Sequence, residues 1–480
     1  MSKQDFKKIN DYLWEIPKSF RSDMRVPGRL YVNDKLRTEL EPDAITQIVN
    51  VATLPGIVKY SFAMPDAHTG YGFVIGGVAA MDVEQGGVIS PGGVGFDIAC
   101  GMRLLTSGLT TEELEPHLDA VASEIQKEVP SGLGRGRKLK FKTAAMNKIL
   151  EFGAKGLMEE GYGEAEDIQN SEASGQHPNA DPSLVSDHAK TRGRDQVGTL
   201  GSGNHFLEIQ RVDKIFDKEA AKAMGLFPNQ VVIMIHTGSR GLGHQIATDY
   251  LRLMDQAVRK YNIRLPDRQL AATPFNSPEG QKYFQAMACG SNFALANRQM
   301  ITYFVRKAWK SILGDTGGNL TMVYDIAHNT AKLEEYKVDG KNKKLIVHRK
   351  GATRAFPPGH AEIPKRYQSV GQPVFIPGSM GTASYVLVGR EGGSEAWYST
   401  CHGAGRTMSR HAAIRAFPGK EVVGSLEARG IVVKSRSLRG IAEEAPGAYK
   451  DVDEVVDVVD KAGLSKKVAR LVPLAVIKGE

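Results

Sequence analysis

One glycine-rich segment of the chain places an acid and a thiol close together. Within residues 91–101, Asp97 and Cys100 stand three positions apart among several glycines. Because glycine permits tight turns, both side chains and the neighbouring backbone can converge on one point. The segment is either part of a metal site or a tight turn around a buried cysteine, and both interpretations remain open at this stage.

Three histidines occupy comparable positions elsewhere in the chain. His205 stands with Asn204 and Glu208 where glycines lead into a predicted strand, while His236 and His328 come at or near the ends of predicted strands. Small residues before Asn204 and after His236 leave room for a phosphate group. A single histidine in such a place is usually structural, but three of them together favour metal ligands.

Asp97, Cys100 and the three histidines form a mixed set of hard and borderline ligands. The set suffices for two divalent ions if the thiolate bridges them, and paired ions are a common means of aligning phosphoryl chemistry. Zinc suits these ligand types as well as manganese does. Ligand chemistry alone therefore does not name the metal.

His402 has different surroundings from the other histidines. The small residues 403–405 follow it, and after them come Arg406 and a predicted helix over 407–417. The small residues leave the imidazole open, and a helix N-terminus beside an arginine can hold an anion. Neutral imidazole can attack phosphorus and form a phosphoramidate that passes the group onward. His402 is therefore a candidate nucleophile, with a further metal ligand or a helix cap as the alternatives.

Two further segments carry weaker signals. The glycines and hydroxyls of residues 377–384 could line a nucleotide pocket, although they match neither a Walker A nor a Rossmann pattern. Lys478 lies so near the end of the sequence that its position alone predicts a mobile tail. The apolar run 471–477 predicts the opposite, because it would be costly to leave in water and should dock onto the body.

A mixed architecture must position these residues. The spacing of Leu114, Leu118, Val121 and Ile125 after a capping-box pattern predicts a helix. Short apolar runs predict buried strands close to the chemistry-bearing residues, over 73–78, 231–235, 320–324, 373–376 and 385–388. We expect an α+β fold, a single large mixed α/β body over 1–480, with a polar and basic insertion at about 130–194. Within this insertion, a polar, acidic segment after Lys142 and through Asp187 is expected to be poor in helix.

The composition narrows the function classes. The chain has 480 residues, a formal net charge of +8 and a pI near 9.1, which fits a polyanionic partner such as nucleic acid. Three widely spaced cysteines cannot form a disulfide framework and indicate a reducing compartment. The N-terminus lacks the apolar core of a signal peptide, and no apolar run approaches the roughly 18 residues of a membrane span. We therefore expect a cytoplasmic protein without a membrane partner.

Taken in order, these motifs resemble those of the RtcB family of RNA ligases, from the region of Asp66 to the last residues of the chain. The matching segments are MPDAHTG (64–70), GFDIACG (95–101), GNHF (203–206), HTGSRG (236–241), DIAHN (325–329), PGSM (377–380) and CHGAGR (401–406). Their number and order make chance agreement untenable.

The resemblance implies an RtcB-like fold with a dinuclear manganese site. In that site Cys100 bridges two Mn²⁺ ions, of which one is also held by Asp97 and His205 and the other by His236 and His328. The resemblance makes His402 the residue that receives GMP from GTP. It also implies nucleotide contacts from Asn204, His205, Glu208, His328, Asn329, Pro377, Gly378, Ser379, Met380, Ser384, His402, Gly403, Ala404, Gly405 and Lys478.

The implied reaction joins broken RNA. His402 takes a guanylyl group from GTP and passes it to an RNA 3′-phosphate, which can arise from a 2′,3′-cyclic phosphate, and a 5′-hydroxyl then displaces GMP. The expected substrates are tRNA exon halves and other broken RNAs, in tRNA splicing and RNA repair, and an archease-like activator is an expected partner. Arg192, Arg194 and Arg240 are candidate contacts to RNA phosphates.

Two other functions compete with this one. A metal-dependent phosphodiesterase would use the same ligands to activate water and would need no nucleotide. A non-catalytic RNA-binding protein would explain the basic charge. The open setting of His402 argues against the first alternative, and the clustered metal ligands argue against the second.

Overall fold

The computed structural model describes residues 5–132, 141 and 143–479. Its strands are β1 (Lys7–Asn10), β2 (Leu13–Ile16), β3 (Gly28–Leu30), β4 (Ser61–His68), β5 (Ile75–Asp82), β6 (Val88–Ile89), β7 (Gly101–Thr110), β8 (Phe206–Ile215), β9 (Gln230–Thr237), β10 (Thr273–Pro274), β11 (Thr321–Ala327), β12 (Asn329–Val338), β13 (Lys341–Lys350), β14 (Ala352–Arg354), β15 (Pro373–Ile376), β16 (Ser384–Gly389), β17 (Ser399–Cys401), β18 (Val432–Lys434) and β19 (Ser465–Lys478).

The helices lie between and over these strands. They are α1 (Asp34–Glu39), α2 (Pro42–Val51), α3 (Thr111–Leu114), α4 (Leu118–Glu128), α5 (Thr143–Glu159), α6 (Ala165–Gln169), α7 (Asp187–Arg194), α8 (Lys218–Met224), α9 (Arg240–Lys260), α10 (Pro278–Leu313), α11 (Arg410–Ala416), α12 (Gly419–Glu427), α13 (Leu438–Glu443) and α14 (Val452–Lys461). The expectation of a mixed fold of helices and sheets is confirmed.

Two large sheets organise the described part of the chain. One has the order β1-β2-β3-β4-β5-β13-β12, and the other has the order β11-β7-β9-β8-β19-β16-β15, with β18 paired to β19. Most neighbouring strands are antiparallel, the exceptions being the parallel pairs β3–β4 and β18–β19. All five predicted strands are present, with boundaries shifted by up to a few residues.

The predicted helix near residue 114 is confirmed, with a break. Thr110 and Glu113 form the expected capping box at the start of α3. A short 3-10 turn that contains Pro116 then separates α3 from α4. Proline lacks the N–H that a continuous helix would need at this position.

The prediction that the segment after Lys142 and through Asp187 is helix-poor is wrong. This segment contains α5 and α6, and Met146, Ile149, Leu150 and Leu157 bury one face of α5 in an apolar cluster that also contains side chains of α10. Their spacing is helical, but charged residues between them hid the pattern. Most of the basic stretch, at 133–140 and 142, lies outside the described residues.

The apolar run near the C-terminal end docks onto the body, as predicted. Its residues belong to β19, which lies between β8 and β16 inside the larger sheet. Lys478 is the last residue of this strand and is only 3% exposed. The interpretation of Lys478 as part of a mobile tail is therefore wrong, because strand pairing fixes it.

No helix among the described residues is long and apolar enough to cross a membrane.

Candidate metal centre and nucleotide site

The predicted metal ligands meet at one end of four adjacent strands. Asp97 and Cys100 lie in the loop that leads into β7, His205 directly precedes β8, His236 is near the end of β9, and His328 follows β11. The strands β11, β7, β9 and β8 are consecutive in the larger sheet, and each is antiparallel to its neighbour. The first residues of β7 and β8 therefore lie beside the last residues of β11 and β9. The sheet therefore assembles five side chains that are far apart in the sequence.

The ligand atoms form a continuous chain of close contacts. The distance from Asp97 Oδ2 to His205 Nε2 is 2.8 Å, and Cys100 Sγ lies 3.4 Å from His205 Nε2 and 3.3 Å from His236 Nε2. His236 Nε2 is in turn 3.2 Å from His328 Nε2. Two groups result, Asp97–Cys100–His205 and Cys100–His236–His328, and within each group all ligand atoms lie within 4.8 Å of one another.

Burial sets the protonation states of these ligands. Burial lowers the pKa of His205, and lowers the pKa of His236 and His328 well below the ordinary value, so that these rings are neutral and offer lone pairs. Burial and the nearby Asp97 raise the pKa of the Cys100 thiol well above its usual range. A bound cation reverses that effect and stabilises the thiolate. The donor set is therefore compatible with metal binding, and Cys100 belongs to both groups of ligands.

A buried arginine supports the ligand loops from behind. Arg298, on α10, donates from Nη1 to the carbonyl oxygens of Ala99 and Thr237, at 2.9 Å each, and from Nη2 to Asp325 Oδ1 at 2.8 Å. The side chains of Arg298 and Asp325 are fully buried. Ala99 has a φ of 52°, which costs energy for a residue with a Cβ and needs such support. One guanidinium thus holds the backbone on either side of the cluster.

His402 is close to the metal ligands but is held by a different group. Its ring centroid lies 4.9 Å from that of His328, and its Nδ1 is 2.6 Å from Asp66 Oδ2. The same oxygen accepts hydrogen bonds from the backbone N–H of His402 at 3.0 Å and of Gly403 at 3.3 Å. With Nδ1 occupied as a donor, the free lone pair of the imidazole is on Nε2.

Asp66 is fully buried, and its role was missed in the sequence analysis. Although burial alone would raise the pKa of this carboxyl, its interactions with His402, including the hydrogen bonds, hold that pKa below its ordinary value. The carboxylate therefore stays ionised beside the ring. The only signal in the sequence was the segment 64–70, because no spacing links Asp66 to a histidine 336 positions away.

A cavity of about 650 Å³ opens over the cluster. All the predicted metal ligands line it, and so do eight of the predicted nucleotide contacts: Asn204, His205, His328, Asn329, His402, Gly403, Ala404 and Gly405. Lys350 also lines the cavity and was not singled out from the sequence. Burial lowers the pKa of Lys350 to about 7, and its Nζ donates to the carbonyl oxygens of Tyr71 and Phe73.

The other predicted nucleotide contacts do not line this cavity. They are Glu208, Pro377, Gly378, Ser379, Met380, Ser384 and Lys478. Gln210 links two of them, because its Nε2 donates to Glu208 Oε2 at 2.7 Å and to Ser384 Oγ at 3.1 Å. Burial raises the pKa of Glu208 to about 7. All seven residues are buried, and we call them the buried layer.

Hydrogen bonds tie this layer to the cavity. Lys478 Nζ donates to the carbonyl oxygen of Gly203 at 2.9 Å, next to Asn204. The backbone N–H of Ala404 donates to the carbonyl oxygen of Pro377 at 3.2 Å. A change at the end of β19 can thus reach the loop that carries Asn204, and a change at Pro377 can reach the loop that carries His402.

A second cavity, of about 390 Å³, carries two of the three predicted RNA contacts. Arg192 and Arg240 line it. Arg194 does not line it, and its Nε instead lies 3.6 Å from Asp195. Among the described residues, no carboxylate oxygen lies within 4.0 Å of the Arg192 or Arg240 guanidinium. Arg240 instead donates from Nη2 to the carbonyl oxygens of Gly132 and Leu200, and Arg192 donates from Nη1 to Gln245 Oε1.

The chain belongs to the RtcB family. The sequence model of that family, described as tRNA-splicing ligase RtcB, matches residues 47–479. The tRNA-splicing ligase RtcB of Methanococcus maripaludis is 55% identical over 475 residues, which cover 98% of this chain and 99% of the relative. That of Thermococcus kodakarensis is 54% identical over 477 residues, covering 98% of each chain. The RNA-splicing ligase RtcB of Mycobacterium tuberculosis is 53% identical over 435 residues, covering 90% of this chain and 100% of the relative.

Proposed function

We propose that this protein is a GTP-dependent RNA ligase that joins a 2′,3′-cyclic phosphate or 3′-phosphate end to a 5′-hydroxyl end through a GMP–histidine intermediate. The observation that carries the proposal is the pairing of His402 with the buried Asp66 beside the metal ligands. An imidazole held through Nδ1, with Nε2 free in a cavity of nucleotide size, is arranged as a nucleophile.

In the first step, Nε2 of His402 attacks the α-phosphorus of GTP. A P–N bond forms, the P–O bond to pyrophosphate breaks, and the ring acquires positive charge. Asp66 accepts the Nδ1–H hydrogen bond and stabilises that charge, while the N–H groups of His402 and Gly403 fix the carboxylate. Asp66 therefore both orients the ring and lowers the free energy of the intermediate.

Two Mn²⁺ ions held by Asp97, Cys100, His205, His236 and His328 would neutralise negative charge on the phosphoryl oxygens. The histidines can serve as ligands at neutral pH because burial keeps them deprotonated. Arg298 keeps the ligand loops in position.

In the later steps an oxygen of the RNA 3′-phosphate takes the guanylyl group and breaks the P–N bond, which returns the lone pair to Nε2. The 5′-hydroxyl oxygen then attacks the RNA phosphorus, GMP leaves, and the hydroxyl proton is lost to solvent. For the nucleotide we propose contacts from Asn204, Asn329 and residues 403–405 in the cavity, and from Glu208, residues 377–380, Ser384 and Lys478 behind it.

The substrates we propose are tRNA exon halves and other broken RNAs, handled by a cytoplasmic enzyme of tRNA splicing and RNA repair. The net charge of +8 supports an RNA substrate. An archease-like activator remains a prediction of the family resemblance.

The test is formation of a covalent guanylate. Wild-type protein incubated with Mn²⁺ and GTP labelled at the α-phosphate should acquire one acid-labile label, and His402→Ala should acquire none. His411→Ala is the matched control, because His411 is exposed on α11. Label on the His402→Ala protein would place the nucleophile elsewhere. Hydrolysis of a cyclic phosphate without any guanylate would favour the phosphodiesterase.

A further inference from the structure

A lysine is buried beside the paired side chains of Asp66 and His402. Lys450 is only 7% exposed, and its Nζ donates to the carbonyl oxygens of Pro65 at 3.1 Å and of Ala67 at 2.7 Å. These two residues flank Asp66 in the chain. Burying an ammonium group is costly, so lysine is seldom buried unless nearby groups take its hydrogen bonds and balance its charge.

The backbone of Lys450 holds the segment that carries the nucleophile. Its N–H donates to the carbonyl oxygen of Gly405 at 2.9 Å. Next to this hydrogen bond, Arg406 and Tyr449 form an antiparallel bridge. The loop that begins at His402 is thus held by the main chain of Lys450, while the segment around its carboxylate partner is held by the side chain.

The two segments that Lys450 joins are in close contact. Gly405 has a φ of 79°, and a Cβ at this position would lie only 2.3 Å from the carbonyl oxygen of Asp66. Asp66 Oδ2 accepts hydrogen bonds from the ring and from the backbone N–H of His402. A shift of the two carbonyls that Lys450 holds would therefore move the carboxylate relative to the ring.

The charge of Lys450 also acts on Asp66. Burial lowers the pKa of Lys450, and the negative charge of Asp66 is the largest of the effects that oppose this lowering. Because the attraction between the two charges is mutual, the ammonium group also helps to keep the Asp66 carboxylate ionised.

We propose that Lys450 is a positioning residue for guanylyl transfer, which holds Asp66 where its carboxylate aims Nε2 of His402 at the phosphorus. This inference rests on the proposed ligase function and gives a role to a residue that does not line the catalytic cavity. Lys450 acts through Asp66 and not on the substrate. Its effect is therefore confined to the steps in which His402 forms or breaks its bond to phosphorus.

The first test compares Lys450→Met, which keeps the apolar stem, with wild type at separate steps. Guanylate formation from labelled GTP should be slower by about tenfold or more, since misplacing a reacting group by about 1 Å can cost about a hundredfold. Joining of a 5′-hydroxyl strand to RNA that already carries the 3′-guanylyl group should keep the wild-type rate, because His402 forms no bond in that step. An unchanged rate of guanylate formation, an equal loss at both steps or a loss of bound manganese would overturn the proposal.

The second test restores the missing ammonium group. Lys450 borders a further cavity, of about 810 Å³, through which small amines can reach the site. In the Lys450→Ala protein, propylammonium supplies the atoms that the substitution removes, so it should raise the rate of guanylate formation in a saturable manner. Tetramethylammonium carries the same charge without an N–H donor and should not raise the rate. Equal effects of the two cations would overturn the hydrogen-bonding role of Lys450.

A third measurement does not depend on ligase activity. In protein with ¹⁵N-labelled histidine and with Zn²⁺ as a diamagnetic cation, the Nδ1–H group of His402 should give a low-field NMR signal that His402→Ala removes. Lys450→Met should shift this signal. Lys343→Met is the matched control and should not shift it, because Lys343 bonds to Asp82 at 2.8 Å, outside the catalytic cavity.

This signal separates the two proposals. If it stays in place in the Lys450→Met protein, the role of Lys450 is overturned whether or not wild-type protein forms a guanylate. If it shifts while wild-type protein forms no guanylate, Lys450 does position Asp66 and His402, and the ligase function alone is refuted.

Discussion

Replacing Asp66 with asparagine should slow guanylylation while leaving the metal centre intact. Asp66 Oδ2 accepts three hydrogen bonds, and Oδ1 has no partner among the described groups. The amide that replaces the carboxylate can keep its oxygen toward His402 and place its NH₂ group where Oδ1 was. The substitution therefore removes one negative charge with little change of shape.

The size of the effect follows from the hydrogen bond to Nδ1. In the wild-type protein the ring becomes positively charged while Asp66 stays negative, so this hydrogen bond joins two ions. In the Asp66→Asn protein the same hydrogen bond joins the charged ring to a neutral amide. Hydrogen bonds to charged groups are worth about 1.5–3 kcal/mol in proteins. If this difference appears in the transition state, the rate of guanylate formation falls by about ten- to 150-fold.

The assay is a single-turnover measurement of guanylate formation at saturating GTP and Mn²⁺, with bound manganese measured on the same samples. Asp82→Asn is the matched control, because Asp82 is 3% exposed on β5 and bonds to Lys343 at 2.8 Å, outside the cavity. A rate within threefold of wild type would refute the role given to Asp66. Loss of manganese together with the rate would show instead that Asp66 supports the metal centre.

Three further predictions concern other parts of the molecule. Cys100→Ala should lower the bound manganese per chain and stop guanylylation, because Cys100 is the ligand that the two groups share; full metal content with normal activity would contradict this. Lys478→Met, which keeps the apolar stem, should reduce guanylylation with GTP while leaving manganese bound, and an unchanged rate would remove Lys478 from the nucleotide site. Burial lowers the pKa of His348 to about 4, below its unfolded value of 6.5, so the unfolded state binds the proton first as the pH falls. The stability due to neutral His348 is then fully present above pH 6.5, and about 3 kcal/mol of it is lost as the pH falls toward 4. In the His348→Gln protein, the free energy of unfolding should therefore depend less steeply on pH between 6.5 and 4.

The five predicted metal ligands lie together in the structure, whereas the elements around them were predicted less accurately. Asp97, Cys100 and the histidines were recognisable because their residue types are uncommon at strand ends and their motifs are specific. The predicted helix over 407–417 is shorter in the structure, where α11 covers Arg410–Ala416. Ser409 explains this start, because its side chain accepts the hydrogen bond from Ala412 N–H that caps the helix.

What the sequence could not supply is long-range pairing. Asp66 reaches His402 only because β4 and β17, in different sheets, bring residues 64–66 and 401–403 together. The ring of Phe96, in the loop before β7, likewise contacts Tyr71 from another loop and His244 from α9. No local periodicity encodes such contacts, since they depend on the order of strands in the sheets, and that order could not be derived from the sequence.

The hydrogen bonds of Arg298 have a consequence for handling the protein. Its guanidinium holds the Ala99 and Thr237 carbonyls through protein groups alone, and its own charge is balanced by Asp325. Protein groups therefore support the backbone of the ligand loops, and we expect these loops to need no cation for their order, unlike a zinc finger, whose fold exists only with its metal. Treatment with a chelator should strip the centre without melting the sheet, and added Mn²⁺ should restore guanylylation within the time of mixing, with no refolding step.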